Sequence, residues 1–270
     1  MTNLFNIKDR VMVITGGTGV LGTSMTEYLA EQGAKMVVLG RNAVKGEEIV
    51  NGIKERGGEA IFLKSDVNDK EILEQNAAEV LEKYGRIDVL INGAGGNLPG
   101  ATIGPDKTIF DLDVNAFKTV VDLNLIGTVI PTLVFGKVMA DQKSGNIINI
   151  SSESALRPLT RVVGYGAAKA AVTNFTKYLA IELAQKFGQD MRVNAIAPGF
   201  FISEQNRALL TNPDGSFTAR GNSIIAHTPF GRFGEPEELL GTLHWLVSDA
   251  SKFVTGTLTV VDGGFDAFCI

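Results

Sequence analysis

The stretch VMVITGGTGVLGTSMTEYLAEQG, residues 11–33, decides the fold. Its first five residues are apolar and rich in β-branched side chains, the pattern of a strand buried on both faces. Four glycines follow, Gly16, Gly17, Gly19 and Gly22. Around and after them Leu21, Met25, Tyr28 and Leu29 recur at helical spacing until Gly33 stops the helix. The same rhythm runs down the chain. MVVL (36–39) leads to a helix ending near Arg56 and Gly57-Gly58, and AIFL (60–63) to a helix from about Asp69 to Lys83. IDVLI (87–91) passes through a glycine-rich loop to helices within 111–141. NIINI (146–150), a long helix over about 164–187, RVNAIA (192–197) and TLTVV (257–261) complete seven strands.

Apolar strands alternating with amphipathic helices dictate an α/β fold, a parallel sheet covered by helices on both faces. Right-handed crossovers then give one doubly wound, Rossmann-like domain over 1–270. Only 198–234 departs from the rhythm, and a long insertion there is expected to act as a lid or binding loop. Hydrophobic residues make up 44% and charged residues 20%, ample for a core. The count of 25 Lys+Arg against 30 Asp+Glu gives −5, which supplies no bulk positive field for nucleic acid. A single cysteine, Cys269, excludes an internal disulfide or a Cys-rich zinc site. With His227 and His244 as the only histidines, an all-His metal site is excluded too, and no metal is expected. The chain opens without a basic-then-apolar leader. Its most apolar long segment, 120–135, is interrupted by Asp122, Asn124 and Pro131, whereas a span needs ~20 mostly apolar residues. A cytoplasmic protein without membrane partners is the expectation.

Gly17, Gly19 and Gly22 satisfy G-x-G-x-x-G between a strand and a helix. Only a chain lacking Cβ lets backbone N–H groups and a helix N-terminus approach a pyrophosphate closely, so Gly16, Thr18, Gly19, Val20 and Leu21 are candidate dinucleotide contacts. A tight turn with no ligand is the bland alternative. A nucleotide P-loop fails because Thr23 stands where Lys is required. The second strand ends Leu39-Gly40-Arg41-Asn42, with no acid to bond a ribose 2′-hydroxyl. Arg41, with Asn42 beside it, could instead pair with a 2′-phosphate, which favours NADP over NAD. An arginine stacked on the adenine is the alternative.

Tyr165 and Lys169 lie four apart on a helix and share one face, and Ser152 follows the fifth strand, where open parallel sheets bind ligands. A phenol titrates near ~10 unless a neighbouring ammonium or a cationic nicotinamide favours the phenolate. Alone, Y-x-x-x-K is an ordinary amphipathic pair. Together, TGGTGVLG (15–22), NGAG (92–95), Asn124, Ser152, YGAAK (165–169) and PG (198–199), in this order, resemble the short-chain dehydrogenase/reductase family over essentially the whole chain. The resemblance implies a catalytic tetrad of Asn124, Ser152, Tyr165 and Lys169. Tyr165 would be general acid–base and Ser152 the carbonyl-oxygen partner. Lys169 would bind the cofactor ribose and modify the phenol, and Asn124 would hold a water linking Lys169 to solvent. It also implies cofactor contacts from Asp66, Val67, Asn92, Ala94, Gly95, Pro198, Gly199, Phe201, Ile202 and Ser203, and a homotetramer. A helix cap is the alternative for Asp66. Two departures stand out: Val20 where the family has glycine, and Gly93 where it has a second asparagine.

The segments expected to wall the substrate pocket carry Glu153, Ser154, Arg157, Arg161, Glu204, Gln205, Asn206, Arg207, Arg220 and His227. Steroid or acyl pockets want apolar walls, whereas a hydroxylated anion wants donors and a cation. Gly96, Asn97, Ser154, Arg161, Gln205, Asn206 and Arg207 are the candidate contacts. Residues 94–102, 198–207, 227–241 and 261–268 further resemble members of the family that interconvert D-fructuronate and D-mannonate. Gluconate 5-dehydrogenase-like members are the competing group. A non-catalytic NAD(P)-sensing protein is the rival from another class, and the joint presence of Ser152, Tyr165 and Lys169 argues against it. Trp245 and Leu246 read as core, and 262–264 as a sharp turn. The apolar tail Phe265, Phe268, Cys269 and Ile270 is expected to pack against another subunit.

Overall fold

In the computed structural model, which describes residues 3–202 and 207–269, the seven apolar runs become β1 (Val11–Thr15), β2 (Lys35–Gly40), β3 (Glu59–Lys64), β4 (Val89–Asn92), β5 (Gly145–Ile150), β6 (Met191–Pro198) and β7 (Leu258–Val261). They pair in the order β3-β2-β1-β4-β5-β6-β7, every pair parallel. Between them run α1 (Val20–Glu31), α2 (Ala43–Glu55), α3 (Lys70–Tyr84), α4 (Val114–Val121), α5 (Gly127–Gln142) and α6 (Val163–Phe187). Then come α7 (Arg207–Leu210), α8 (Ala219–Ala226) and α9 (Leu240–Val247).

Successive strand residues point to opposite faces, so each strand feeds two cores. Met12, Ile14, Met36, Val38, Ile148 and Ile196 pack with Met25 and Leu29 of α1, Ile53 of α2 and Leu243 and Leu246 of α9. Trp245 joins this layer half-buried, its indole N–H bonding the Ala250 carbonyl at 3.3 Å. On the other face Val13, Val37, Leu90, Ile147 and Val193 meet Leu73 and Val80 of α3, Phe135 and Met139 of α5 and Leu179 of α6. Burial on both faces is why the strands read as unbroken apolar runs.

Winding proceeds outward from β1 through β2 to β3, then jumps to β4 on the other side of β1. Such a reversal opens a crevice at the carboxyl ends of the two central strands. Thr15 and Asn92 sit opposite each other at its floor.

Asp122, Asn124 and Pro131, which look like interruptions in the sequence, are all carried inside the helical run Val114–Gln142. That run does have the length and mean hydropathy of a membrane span. Half of its most apolar window is buried within the protein, and α5 packs on β4, β5 and α3. The polar residues are accommodated because Asp122–Ile126 widens into a π-helical turn.

Within 198–234 lie α7 and α8, held by a small core of their own: Leu210, Ile224 and Phe233, with Phe200, Ile202 and Ile225 against them. The apolar tail folds onto this segment. Phe265 meets Phe200 edge-on at 5.1 Å, and Phe268 meets His227 at 6.3 Å. Ile270 lies outside the described residues.

Candidate active site

The first glycine turn is built against the loop after β4. Gly16 adopts φ +67, and a Cβ there would fall 2.7 Å from the Cα of Ala94. The backbone N–H groups of Gly93 and Ala94 both donate to the Thr15 hydroxyl at 3.2 Å, which locks the two turns together. The α1 helix starts after Gly19 with no side-chain cap and no acid in its first turn. Its leading N–H groups are left for an anion, and the glycine turn leaves room for a pyrophosphate to reach them. Val20 is simply the first helical residue, so its departure from the family pattern leaves this geometry in place. Leu21 packs on the core, which leaves its backbone for a ligand.

Arg41 is exposed at the end of β2 and forms no ion pair with any described residue. Asn42 caps α2, accepting from the Lys45 N–H at 3.1 Å. The Ser65 N–H donates to the Gly40 carbonyl at 2.9 Å, setting Asp66 and Val67 beside Arg41. Asp66 does not cap the next helix. Its carboxylate accepts from the Asn68 N–H, and Asp69 caps α3 by accepting from the Ile72 N–H at 3.1 Å. Asn92 corrects its expected role as well. Its amide donates inward to Asn149 at 2.8 Å and to Thr132 at 3.0 Å, and Asn149 donates on to Thr176 at 2.8 Å. This buried ladder fastens β4, β5, α5 and α6 and leaves only the Asn92 backbone for a cofactor. Phe201 is likewise buried in the first core, and Ile202 in the small one. Gly199, after Pro198, is fixed by its N–H to the Val261 carbonyl at 2.9 Å. Ser203, Gln205 and Asn206 lie outside the described residues, as does Glu204.

Tyr165, Lys169, Ser152 and Asn124 converge beyond the ends of β4 and β5. Lys169 is 3% exposed, donates to the Ile150 carbonyl at 2.7 Å and stands 5.7 Å from the centre of the Tyr165 ring. Asn124, within the π turn, is fully buried. Its amide donates to the carbonyls of Gly96 at 2.7 Å and Val120 at 2.8 Å, and its oxygen accepts from the Gly96 N–H at 3.1 Å. Gly95 threads between the two groups: a Cβ there would sit 2.7 Å from the Asn124 oxygen and 3.1 Å from the Lys169 amine. The glycine loop is thus the floor of the reaction centre.

Ser152 closes β5, accepts from the Ser154 N–H at 3.2 Å and interacts with the Tyr165 hydroxyl. Burial pushes the Tyr165 phenol above its ordinary value, and Ser152 draws it part of the way back. The lowering expected from sequence is therefore absent in the protein alone, because desolvation outweighs the help its neighbours give. Burial also brings the Lys169 ammonium down to about 8.

Sequence reading missed Glu153. It is 1% exposed, and its carboxyl is pushed up to about 7 by burial first, then by Asp266 and Asp262. Arg157 pulls the other way but is paired with Asp266 at 2.9 Å. Only the turn 262–264, which returns these acids to the site, could have signalled it. Among the substrate candidates, the Ser154 hydroxyl and the Asn97 carbonyl oxygen are buried without a partner. Gly96 is tied to Asn124, Arg161 is exposed with φ +76, and Arg207 is exposed on α7.

The short chain dehydrogenase family model matches residues 10–214. An uncharacterized oxidoreductase, UxuB of Bacillus subtilis, is 46% identical over 272 residues, covering 97% of both chains. A crystal structure from Haemophilus influenza, of a provisionally assigned D-mannonate oxidoreductase with bound NAD, is 40% identical with a TM-score of 0.91, covering 98% of this chain and 97% of that one. A gluconate 5-dehydrogenase from Burkholderia cenocepacia, in complex with NADP and tartrate, is 29% identical with a TM-score of 0.86, covering 98% of both.

Proposed function

The chain belongs to the short-chain dehydrogenase family, and on that premise we propose that this NAD(P)-dependent oxidoreductase interconverts D-fructuronate and D-mannonate. The observation that carries the reaction type is the convergence of Ser152, Tyr165 and Lys169 at the crevice mouth, floored by Gly95. The dinucleotide, when bound, supplies or accepts the hydride. In reduction the Tyr165 hydroxyl gives its proton to the carbonyl oxygen, which Ser152 holds by a second hydrogen bond; in oxidation the proton returns. Lys169, fixed on Ile150, keeps a positive charge beside the ring when protonated, and Asn124 holds the 95–96 backbone in place.

A sugar acid fits the unpartnered Ser154 and Asn97 groups and the arginines around them, and the Haemophilus relative supports the mannonate reading. The Burkholderia structure favours gluconate 5-dehydrogenase as the second reading. We assign NADPH as the preferred cofactor on the strength of Arg41 and the lack of an acid at the end of β2. The exposed apolar residues Leu133 on α5 and Tyr178 and Ile181 on α6 suit a further copy of the chain, in keeping with a homotetramer. Following NADPH and NADH oxidation with D-fructuronate, 5-ketogluconate and neutral ketoses tests the whole reading. Turnover of D-fructuronate is the expected result. Turnover of 5-ketogluconate alone favours the second reading, and cofactor binding with no turnover of any ketone favours the sensor.

A further inference from the structure

We infer that Arg161 and Arg220 together clamp the carboxylate of the substrate and set the preference for acidic over neutral sugars. The inference rests on the sugar-acid reading above and names the group that executes it. Three segments meet in front of Tyr165. The Ile103 N–H donates to the Arg161 carbonyl at 3.1 Å, tying the loop that carries Asn97 to the loop that leads into α6. Arg220, in the first turn of α8, donates to the Thr160 hydroxyl at 3.3 Å and to its carbonyl at 3.4 Å, tying the 198–234 segment to the same loop. Both guanidinium groups are thereby held just upstream of Tyr165, which follows Arg161 by four residues.

The other described arginines of these segments differ. Arg157 is neutralised by Asp266, and Arg232 by Glu238 at 2.6 Å, while Arg207 stands exposed on α7. Arg161 and Arg220 have no acid paired with either among the described residues. Arg220 is half-buried, and burial first, then the charge of Arg161, holds its guanidinium below the usual range. Arg161 also takes the left-handed backbone, φ +76, an uncommon conformation for a long side chain. Two uncompensated guanidiniums side by side are relieved by a shared anion, and their fork geometry matches a carboxylate. In an open-chain keto-acid the carboxylate lies at the opposite end from the ketone, so a clamp of this kind also fixes which carbon faces Tyr165.

The test compares kcat/KM for D-fructuronate with that for D-fructose, which carries a hydroxymethyl group where D-fructuronate carries the carboxylate. Wild type, Arg161→Ala, Arg220→Ala, the corresponding lysine variants and Arg207→Ala are measured with NADPH. Each alanine variant is expected to lose about 10–100-fold on the acid, the scale of a charge-assisted bond, with D-fructose changing by less than about threefold. Lysine should restore part of the loss. An unchanged acid-to-neutral ratio, an equal fall for both sugars, or a loss confined to Arg207→Ala overturns the clamp. If the wild type turns over 5-ketogluconate and not D-fructuronate, the mannonate reading fails by itself; the same variants on 5-ketogluconate and L-sorbose then decide the clamp. If it turns over no sugar acid, both fall.

Discussion

The cofactor side and the substrate side of the crevice are built to different standards. Asn124, Ser152 and Lys169 rest on strands and long helices, nearly sealed from solvent and tied to backbone carbonyls or turns. The Asn92–Asn149–Thr176 ladder runs directly beneath them. The 198–234 segment is held by three buried apolar residues and a few neighbours, away from the two sheet cores. The difference separates two tasks. Proton transfer demands fixed distances to one carbon, so its groups sit where the fold cannot give. Substrate choice can be carried by a thin wall, whose change leaves the sheet untouched.

The largest effect expected lies on the rigid side. Tyr165→Phe should lower kcat by about 10²–10⁴-fold while NADPH binding, followed by nicotinamide fluorescence, stays within about twofold. Retained turnover would remove Tyr165 from the chemistry. Next comes a matched pair of truncations. Phe135→Ala, beneath the sheet, should cost about 3–5 kcal/mol of stability. Phe233→Ala, in the small core, should shift Tm far less and raise KM several-fold instead. Equal losses of Tm would show that the two regions are one cooperative unit. Smaller still, Arg41→Ala should reduce the NADPH-over-NADH ratio of kcat/KM by about tenfold, the scale of one lost phosphate contact. A wild type that prefers NADH would overturn the cofactor assignment.

The smallest effect concerns Glu153, where the two regions touch. Its carboxyl titrates at about 7 in the folded chain against an ordinary value of 4.5. Across that interval the folded protein keeps a proton that the unfolded chain releases, so stability falls as pH rises through it. Glu153→Gln should flatten this fall, giving a Tm advantage of a few degrees at about pH 8 and little difference near pH 5. A parallel wild-type and variant profile would place the buried charge elsewhere.

Much of this was legible in the chain. Strands buried on both faces leave unbroken apolar runs, and the 11–33 stretch carries its own turn chemistry. The reaction centre was readable because its residue types sit at spacings that the fold brings to one edge. What escaped is instructive. Asn92 was taken as a ligand contact, yet the direction of its side chain depends on the strand face, and Asn149 and Thr132 were waiting there. Asp66 and Asp69 both suit a helix start, and backbone geometry chose the second. The Tyr165 phenol could not be placed from residue types, since desolvation is a property of the packed site. Glu153 and the Arg161–Arg220 pair are contacts between segments more than fifty residues apart, and no local pattern records them.

The widened turn at Asp122–Ile126 has one more consequence. An extra residue in a helical turn rotates everything after it by about 100° relative to what precedes it. The two halves of Val114–Gln142 are therefore phased independently: one aims Asn124 at the glycine loop, the other aims Phe135 and Met139 at the sheet. Losing a single residue there would restore ideal winding and misalign one half or the other. In this segment a regular helix would be the damaged form.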